Sequence, residues 1–256
     1  MKLFVTMGAI IAAAIVAPEI AAQDFEWSGR LGADQTIEIK GINGQITANA
    51  TTDRDVQVTA TKSGRDRDDV RIEVVEHDRG ITICAVYPDR DDGRPNKCAP
   101  GNGGRMNTED TRAEVDFEIR VPAGVRFVGK NVNGDVSARG LTADAVVSSV
   151  NGDVDVSTEG WAEASTVNGD IHASMGRANW DGEAEFSTVN GSIELDLPAD
   201  FSATVEASTV NGEFYSDFPL TISGRFGPRK ITGTIGNGGR RLELSTVNGS
   251  IRLNKS

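Results

Sequence analysis

The chain has 256 residues, a formal net charge of −12 and a hydrophobic content of 38%. The acidic balance argues against a nucleic-acid partner or an anionic lipid surface, because both require clustered lysine and arginine. The 29 glycines are too many for a helical protein and follow no collagen period. The composition therefore favours β structure with many turns.

Residues 1–22 are predicted to be a signal peptide. Lys2 supplies the positive start, the apolar stretch Leu3–Ala17 is too short to span a membrane well, and Ala21-Ala22 offers a small-residue cleavage site. We therefore expect an exported protein, periplasmic, secreted or at the cell surface, with no membrane span in the mature chain. An uncleaved N-terminal anchor is the alternative.

Residues 23–256 are predicted to form one domain, of which residues 23–124 are the less regular part. Short runs in this part place apolar residues at every second position, as strands do. We expect Val70–Glu76 and Ile81–Val86 to pair across a turn at His77–Gly80. The predicted strands are Thr36–Lys40, Gln45–Ala50, Val56–Thr61, Val70–Glu76, Ile81–Val86 and Ala113–Val121.

Two cysteines, Cys84 and Cys98, are the only ones in the chain. Export places them in an oxidising compartment, so a structural disulfide is the favoured interpretation. It would close a polar loop rich in glycine and proline, and closing such a loop stabilises a chain by about 3 kcal/mol in the chain-entropy model.

Residues 125–256 carry a repeated Val-Asn-Gly motif, which predicts stacked supersecondary units of about 20 residues. Each Asn-Gly pair is expected to be a structural corner, with glycine allowing a positive φ. The parity of the apolar residues switches across the motif, as it does between Phe186 and Ile193. With an upstream relative at Gly41–Ile46, the predicted corners are Asn43, Gly44, Asn133, Gly134, Asn151, Gly152, Asn168, Gly169, Asn190, Gly191, Asn211, Gly212, Asn248 and Gly249.

Two folds produce such corners, a β-solenoid and an antiparallel β-meander of Asn-Gly hairpins. A solenoid stacks equivalent residues, and this explains why Ser-Thr-Val recurs before Asn-Gly. We predict an all-β, elongated solenoid, with the meander as the alternative. Val189 is expected to be buried, so that an aspartate there would destabilise neighbouring rungs. The last step, from Asn211 to Asn248, is interpreted as two rungs or as one rung with an excursion around Ser223–Lys230.

The order of these motifs resembles the bacterial putative-adhesin domains, which are related to the head-GIN domains of envelope proteins. The segments GINGQI, AEVDFEIRVPAGVRF, NVNGDV, SSVNGDV and STVNGDI carry the resemblance, which covers the chain from about Phe25 onward. The resemblance implies an exported β-solenoid, and the family supplies no catalytic residues.

No catalytic or metal-binding constellation is recognised in the sequence, and no cofactor is expected. Asp135, Asp153 and Asp170 recur after Asn-Gly, but their equivalents vary, so we interpret them as turn residues. The Asp-rich stretches Arg65–Asp69 and Asp89–Gly93 lack calcium-loop spacing. His77 and His172 stand apart from other potential ligands. Trp161 and Trp180, in turns about one rung apart, are candidates for stacking on a glycan.

These features predict an envelope interaction or scaffold protein that presents a solenoid surface. The partner is unknown, with a glycan or an envelope protein as candidates. The alternatives are a glycan-active enzyme of the lyase or hydrolase type and a purely structural spacer.

Overall fold

The structure is a computed structural model that describes residues 24–89, 94–108, 111–176, 183–222 and 230–256. The predicted signal peptide, residues 1–22, lies outside the described residues. Regular structure in the described residues consists of strands and one short 3₁₀ turn, Arg67–Asp69. The strands are β1 (Phe25–Gly29), β2 (Thr36–Lys40), β3 (Ile46–Thr51), β4 (Val56–Ser63), β5 (Arg71–His77), β6 (Gly80–Val86), β7 (Glu114–Pro122), β8 (Arg126–Lys130), β9 (Val136–Leu141), β10 (Ala145–Ser148), β11 (Val154–Thr158), β12 (Ala162–Ser165), β13 (Ile171–Met175), β14 (Glu183–Ser187), β15 (Ile193–Leu197), β16 (Ala203–Asn211), β17 (Phe214–Ser216), β18 (Leu220–Ile222), β19 (Lys230–Ile235), β20 (Arg241–Asn248) and β21 (Ile251–Lys255).

The strands form two sheets. Sheet A has ten strands in the order β1-β4-β7-β3-β9-β11-β13-β15-β21-β17, and sheet B has eleven in the order β18-β19-β16-β20-β14-β12-β10-β8-β2-β6-β5. The chain passes from sheet B to sheet A through each Val-Asn-Gly corner and returns through a turn on the opposite side. Strands of successive rungs pair in parallel, with Val154 beside Ile171 and Ile171 beside Ile193. The solenoid prediction is confirmed.

Antiparallel strands cover the N-terminal end of the stack. In sheet A, β4 pairs antiparallel with β7, and β1 pairs antiparallel with β4. In sheet B, β5 and β6 form the hairpin that the sequence predicts, with His77 opposite Gly80. Because these antiparallel strands pair along the end of the stack, less of the sheet edge is open to pair with another chain.

The last repeat step is one rung with an excursion, the second of the two interpretations, because Asn211 and Asn248 are neighbouring corners. Of the excursion's proposed centre, Ser223–Lys230, only Lys230 belongs to the described residues. The Asn248 copy lies between the Asn190 and Asn211 copies, because β20 pairs in parallel with both β14 and β16. The residues between the last two copies include β18 and β19, which pair antiparallel at the edge of sheet B. Rung order in space therefore departs from chain order, and the sequence spacing alone contains no sign of this exchange.

The core is a narrow layer between the two sheets. Phe127 and Phe186 of sheet B and Ile171 and Leu195 of sheet A are each at most 1% exposed. Their alternation with exposed polar residues is the pattern of strands with one buried face. The strands before and after each corner both direct apolar side chains into the core, as the parity switch predicts.

The glycine of each corner is required by the close stacking of the rungs. A Cβ atom on any of these glycines would lie less than 3.0 Å from backbone of the next rung; on Gly191 it would meet the carbonyl oxygen of Gly169. Gly191 and Gly212 lie outside the left-handed range of φ that only glycine adopts readily. The expectation that glycine serves a positive φ is therefore wrong at these two corners, where backbone approach is the reason.

We expect Gly191→Ala to lower the free energy of unfolding by about 1–3 kcal/mol, the usual cost of inserting atoms into a packed site. The measurement is urea unfolding followed by circular dichroism. Gly32→Ala is the matched control, because its Cβ would meet only the Gln35 side chain, at 3.5 Å. Equal effects of the two substitutions would contradict the stacking explanation.

Candidate functional site

The corner asparagines form a continuous ladder of side-chain hydrogen bonds along the stack. The Asn168 Nδ2 atom donates to Asn151 Oδ1 at 2.7 Å, and Asn190 Nδ2 donates to Asn168 Oδ1 at 2.7 Å. The same bond joins every neighbouring pair of corners. At the N-terminal end, Asn43 Nδ2 donates to the Ala113 carbonyl at 3.2 Å. The asparagine is thus a structural element of the corner.

At five of the seven corners, a serine or threonine two positions before the asparagine bonds the neighbouring rung. Thr188 Oγ1 donates to the Gly169 carbonyl at 3.0 Å, and Thr246 Oγ1 donates to the Gly191 carbonyl at 2.8 Å. These threonines are buried, at 4% exposure each. Because a buried hydroxyl needs a partner, the recurrence of Ser and Thr here follows from the stacking.

The residue after each Asn-Gly pair also bonds between rungs. Asp135 Oδ1 accepts the Asp153 backbone N–H at 2.8 Å, and Asp153 Oδ1 accepts the Asp170 N–H at 2.8 Å. Ser192 Oγ accepts the Ser250 N–H at 3.2 Å. Any short side chain with an acceptor oxygen serves this purpose, and this explains why both aspartate and serine occur in the row.

The corner valines are exposed, contrary to the expectation for Val189. Val189 is 40% exposed and Val210 is 45% exposed. They project outward beside the asparagine ladder, because the Thr188 side chain fills the inward position. An aspartate at Val189 would therefore not place a buried charge.

The outer face of sheet B carries a row of serines, which we call the serine row. Parallel pairing sets the members side by side, and each is half-buried. None of their hydroxyl groups makes a hydrogen bond in the described structure. Lys130 occupies the position before the first serine of the row, because it pairs with Ser148 in the strand register. Its members are Ser148, Ser165, Ser187, Ser245 and Ser208.

Glutamates run beside the serine row. Glu243 lies opposite both Glu185 and Glu206 in the strand register. Burial raises the pKa of Glu163, and the neighbouring Glu185 carboxylate raises it further. A shallow depression of about 180 Å³ lies between the two rows and is lined by Val146, Glu163 and Ser187 among others.

A loop that follows Cys98, residues 99–104, folds over the other end of this face, next to the disulfide. Cys84 and Cys98 are bonded, with their Cα atoms 5.7 Å apart. Lys40 Nζ donates to three loop carbonyls, including those of Gly101 at 2.8 Å and Gly103 at 3.3 Å. Burial lowers the pKa of Lys40, while the nearby Glu38 carboxylate acts in the opposite direction. The lysine thus fixes the loop by satisfying its backbone.

Glu38 provides the counter-charge beneath the loop. Glu38 is 4% exposed, and its Oε2 atom accepts hydrogen bonds from Thr82 Oγ1 and the Gly101 N–H, both at 2.8 Å. Lys130 Nζ lies 3.1 Å from Glu38 Oε1 and donates to the Gly101 carbonyl at 2.8 Å. A buried carboxylate with these partners is an anchor, and removing one partner would leave a charge unpaired.

A cleft of about 240 Å³ opens between this loop and sheet B. Val128, Val146 and Pro100 supply an apolar floor, and basic side chains surround it. Val146 also lines the depression beside the serine row, so the two concavities adjoin. Four side chains with basic nitrogens line the cleft: His77, Arg79, Arg126 and Lys130.

The other residues singled out in the sequence lie elsewhere. Trp161 is partly buried against the core in a turn, and its glycan-stacking role stays a prediction, whereas Trp180 lies outside the described residues. His172 faces outward, with Nε2 3.2 Å from Asp196 Oδ2. Asp66 accepts the Arg112 N–H at 2.8 Å. Of the stretch Asp89–Gly93, only Asp89 belongs to the described residues.

Two features are absent from the described part of the chain. No three side chains of His, Cys, Asp or Glu there are arranged to hold a metal ion. No helix in those same ranges has the length and apolar character needed to span a bilayer.

Sequence reasoning missed the cleft. The alternation of the strand at Thr36–Lys40 indicates that Glu38 and Lys40 point away from the core. That they are buried depends on the loop that covers them, which comes from about 60 residues further along the chain. The signal available in the sequence is an acidic and a basic residue, Glu38 and Lys40, on one face of a strand, together with a cysteine that can anchor a polar loop.

We expect Asn168→Ala to destabilise the protein about twice as much as Asn211→Ala. The first substitution removes two ladder bonds, and the second removes one from the end of the ladder, each worth about 0.5–1.5 kcal/mol. Urea unfolding with hydrogen-exchange protection at Asn151 and Asn190 is the measurement. Equal losses would show that the ladder does not couple the rungs.

The pH dependence of stability should report on Glu163. Because the folded pKa is raised, the native state holds this proton more tightly, and the free energy of unfolding falls as pH rises through that pKa. Glu163→Gln should therefore be more stable than the parent protein at pH 7, with the difference vanishing under acidic conditions. Glu159→Gln, an exposed change outside the row, is the control. A stability gain that does not vary with pH would contradict this expectation.

The chain is similar to several solved structures and to one protein family. A putative cell adhesion protein from Clostridium sporogenes ATCC 15579 is 10% identical, over 91% of this chain and 99% of that chain, with a TM-score of 0.46. A putative adhesin from Bacteroides fragilis NCTC 9343 is 14% identical, over 90% of this chain and 96% of that chain, with a TM-score of 0.37. No curated protein matches the sequence significantly. The family model described as Toastrack DUF4097 matches residues 127–254, half of the chain and most of its Val-Asn-Gly corners, so the chain belongs to the Toastrack DUF4097 family.

Proposed function

We propose that the protein is an exported envelope component that binds a glycan, in an adhesin-like role, through the outer face of sheet B. The serine row is the observation that carries the proposal. Its hydroxyls donate and accept hydrogen bonds, lie in line from rung to rung and have no partner in the described structure. Sugar hydroxyls have the same dual capacity, so a row of this kind suits a saccharide.

The corner rows are less suited to bind a ligand. The asparagine amides, the buried threonine hydroxyls and the aspartates after Asn-Gly all make bonds between rungs. Taking these groups for a ligand would break the bonds that hold the stack. The repeat is therefore a rigid support, and a rigid support lowers the ordering cost of binding at its faces.

The neighbouring glutamates add acceptors for sugar hydroxyls. Glu163 and Glu185 line the depression with Ser165 and Ser187. A carboxylate accepts hydroxyl hydrogen bonds strongly, and the adjoining valines offer apolar surface for the C–H face of a sugar ring. Export is part of the same proposal and rests on residues 1–22.

The test measures binding of the purified protein to a glycan array and to bacterial envelope fractions. The variant Ser165→Val with Ser187→Val removes two hydroxyls from the row and keeps residues that favour strands. We expect at least a tenfold loss of affinity. Thr47→Val with Ser174→Val, on the outer face of sheet A, is the matched control and should bind normally.

Three outcomes would contradict the proposal. Equal losses in both double variants would show that the serine row has no special role. The absence of binding to any glycan by the parent protein would favour an envelope-protein partner or a spacer. Release of reducing or unsaturated ends from a bound polysaccharide would indicate an enzyme.

A further inference from the structure

Two arginines in the cleft make no ion pair with a described carboxylate, although the chain contains 38 acidic and 26 basic residues; Arg126 is only close enough to Glu163 to lower the pKa of that carboxyl. Arg79 and Arg126 make no ion pair in the described structure, whereas Arg139 and Arg241 on the outer faces of the sheets do. Arg126 pairs with Thr36 in the strand register, and Arg79 immediately precedes Gly80, which also pairs with Thr36. The strand pairing thus brings both residues to one side of the cleft.

The Arg126 side chain carries a second sign of a missing partner. Its Nε atom is buried and has no hydrogen-bond acceptor. A buried donor without an acceptor is uncommon in proteins, because it loses its bond to water without replacement. An oxygen atom of a ligand in the cleft would satisfy it.

The other charges of the cleft are already committed. Lys130 donates to the Gly101 carbonyl and pairs with Glu38, so it holds the loop in place. Glu38 is in turn enclosed by Thr82 and Gly101. Both ring nitrogens of His77 lie within 3.3 Å of protein partners, the Arg79 N–H and the Thr82 hydroxyl. The groups left to bind a ligand are therefore the two guanidinium groups, which match the geometry of carboxylate and phosphate oxygens.

We propose that this cleft binds the anionic end group, a carboxylate or a phosphate, of an otherwise neutral saccharide. The inference rests on the proposed glycan binding and names the chemistry at one end of that surface. The volume of about 240 Å³ is of the size of a single sugar residue, and the floor of Val128 and Val146 is apolar.

The restriction to one anionic group follows from the adjoining glutamates. Val146 lines both the cleft and the depression, so a chain that leaves the cleft toward the depression next meets Glu163 and Glu185. A polyanion on this path would place like charges together, and such a juxtaposition is unfavourable. Neutral sugars over the serine row avoid this cost.

The experiment follows backbone amide shifts by NMR during titration of the full protein with matched ligand pairs. Sialyllactose against lactose tests a single carboxylate, glucose 6-phosphate against glucose tests a phosphate, and trigalacturonate tests a polyanion. We expect at least one singly charged ligand to bind at least tenfold more tightly than its neutral match and than trigalacturonate, with shifts at Gly101 and Thr36. The tighter of the two singly charged ligands identifies the anionic group.

The double variant Arg79→Gln with Arg126→Gln should reduce the preference for the singly charged ligand over its neutral match at least tenfold, and it should leave the melting temperature unchanged. Arg54→Gln, at an exposed arginine outside the cleft, is the control. If charged and neutral ligands bind equally, or if the arginine variant binds as the parent does, the inference is wrong while glycan binding stands. If no saccharide binds the parent protein at all, both proposals fail.

Discussion

The structure depends on the distance between the backbones of successive rungs at the corners. Glycine stacks on glycine so closely that no side chain fits between them, as at Gly169 and Gly191. That contact sets the register in which the asparagine amides, the Thr188 hydroxyl and the Asp153 carboxylate each reach the next rung. Because every bond joins neighbouring rungs, stability is shared along the array, as expected for repeat proteins.

In this scaffold, the groups that hold the rungs together differ from the groups exposed on the outer face of sheet B. The corner groups are occupied by the stack, whereas the outer face of sheet B keeps unbonded serine hydroxyls and crowded glutamates. The raised pKa of Glu163 reflects the cost of holding carboxylates side by side on partly buried surface. These features recur across several rungs, and the binding surface proposed above rests on them.

The cleft shows how one inserted loop changes a regular surface. Without the loop that follows Cys98, Lys40 and Lys130 would simply begin the serine row on an open sheet face. The loop draws them into bonds with its own carbonyls and leaves the cleft beside them. Arg79 and Arg126 then line the cleft without an ion pair to any described acidic residue.

The sequence by itself determined the local pattern. The parity switch across Val-Asn-Gly predicts the corners and the inward faces of Phe186 and Ile193, the recurring Ser-Thr-Val predicts stacking, and the cysteine pair predicts the disulfide, because each depends on neighbours in the chain. Only the tertiary structure decided that Asn248 stacks between Asn190 and Asn211, that Val189 is exposed, and that a loop buries Glu38 and Lys40. These features depend on which distant segments meet, and residue periodicity carries no information about that.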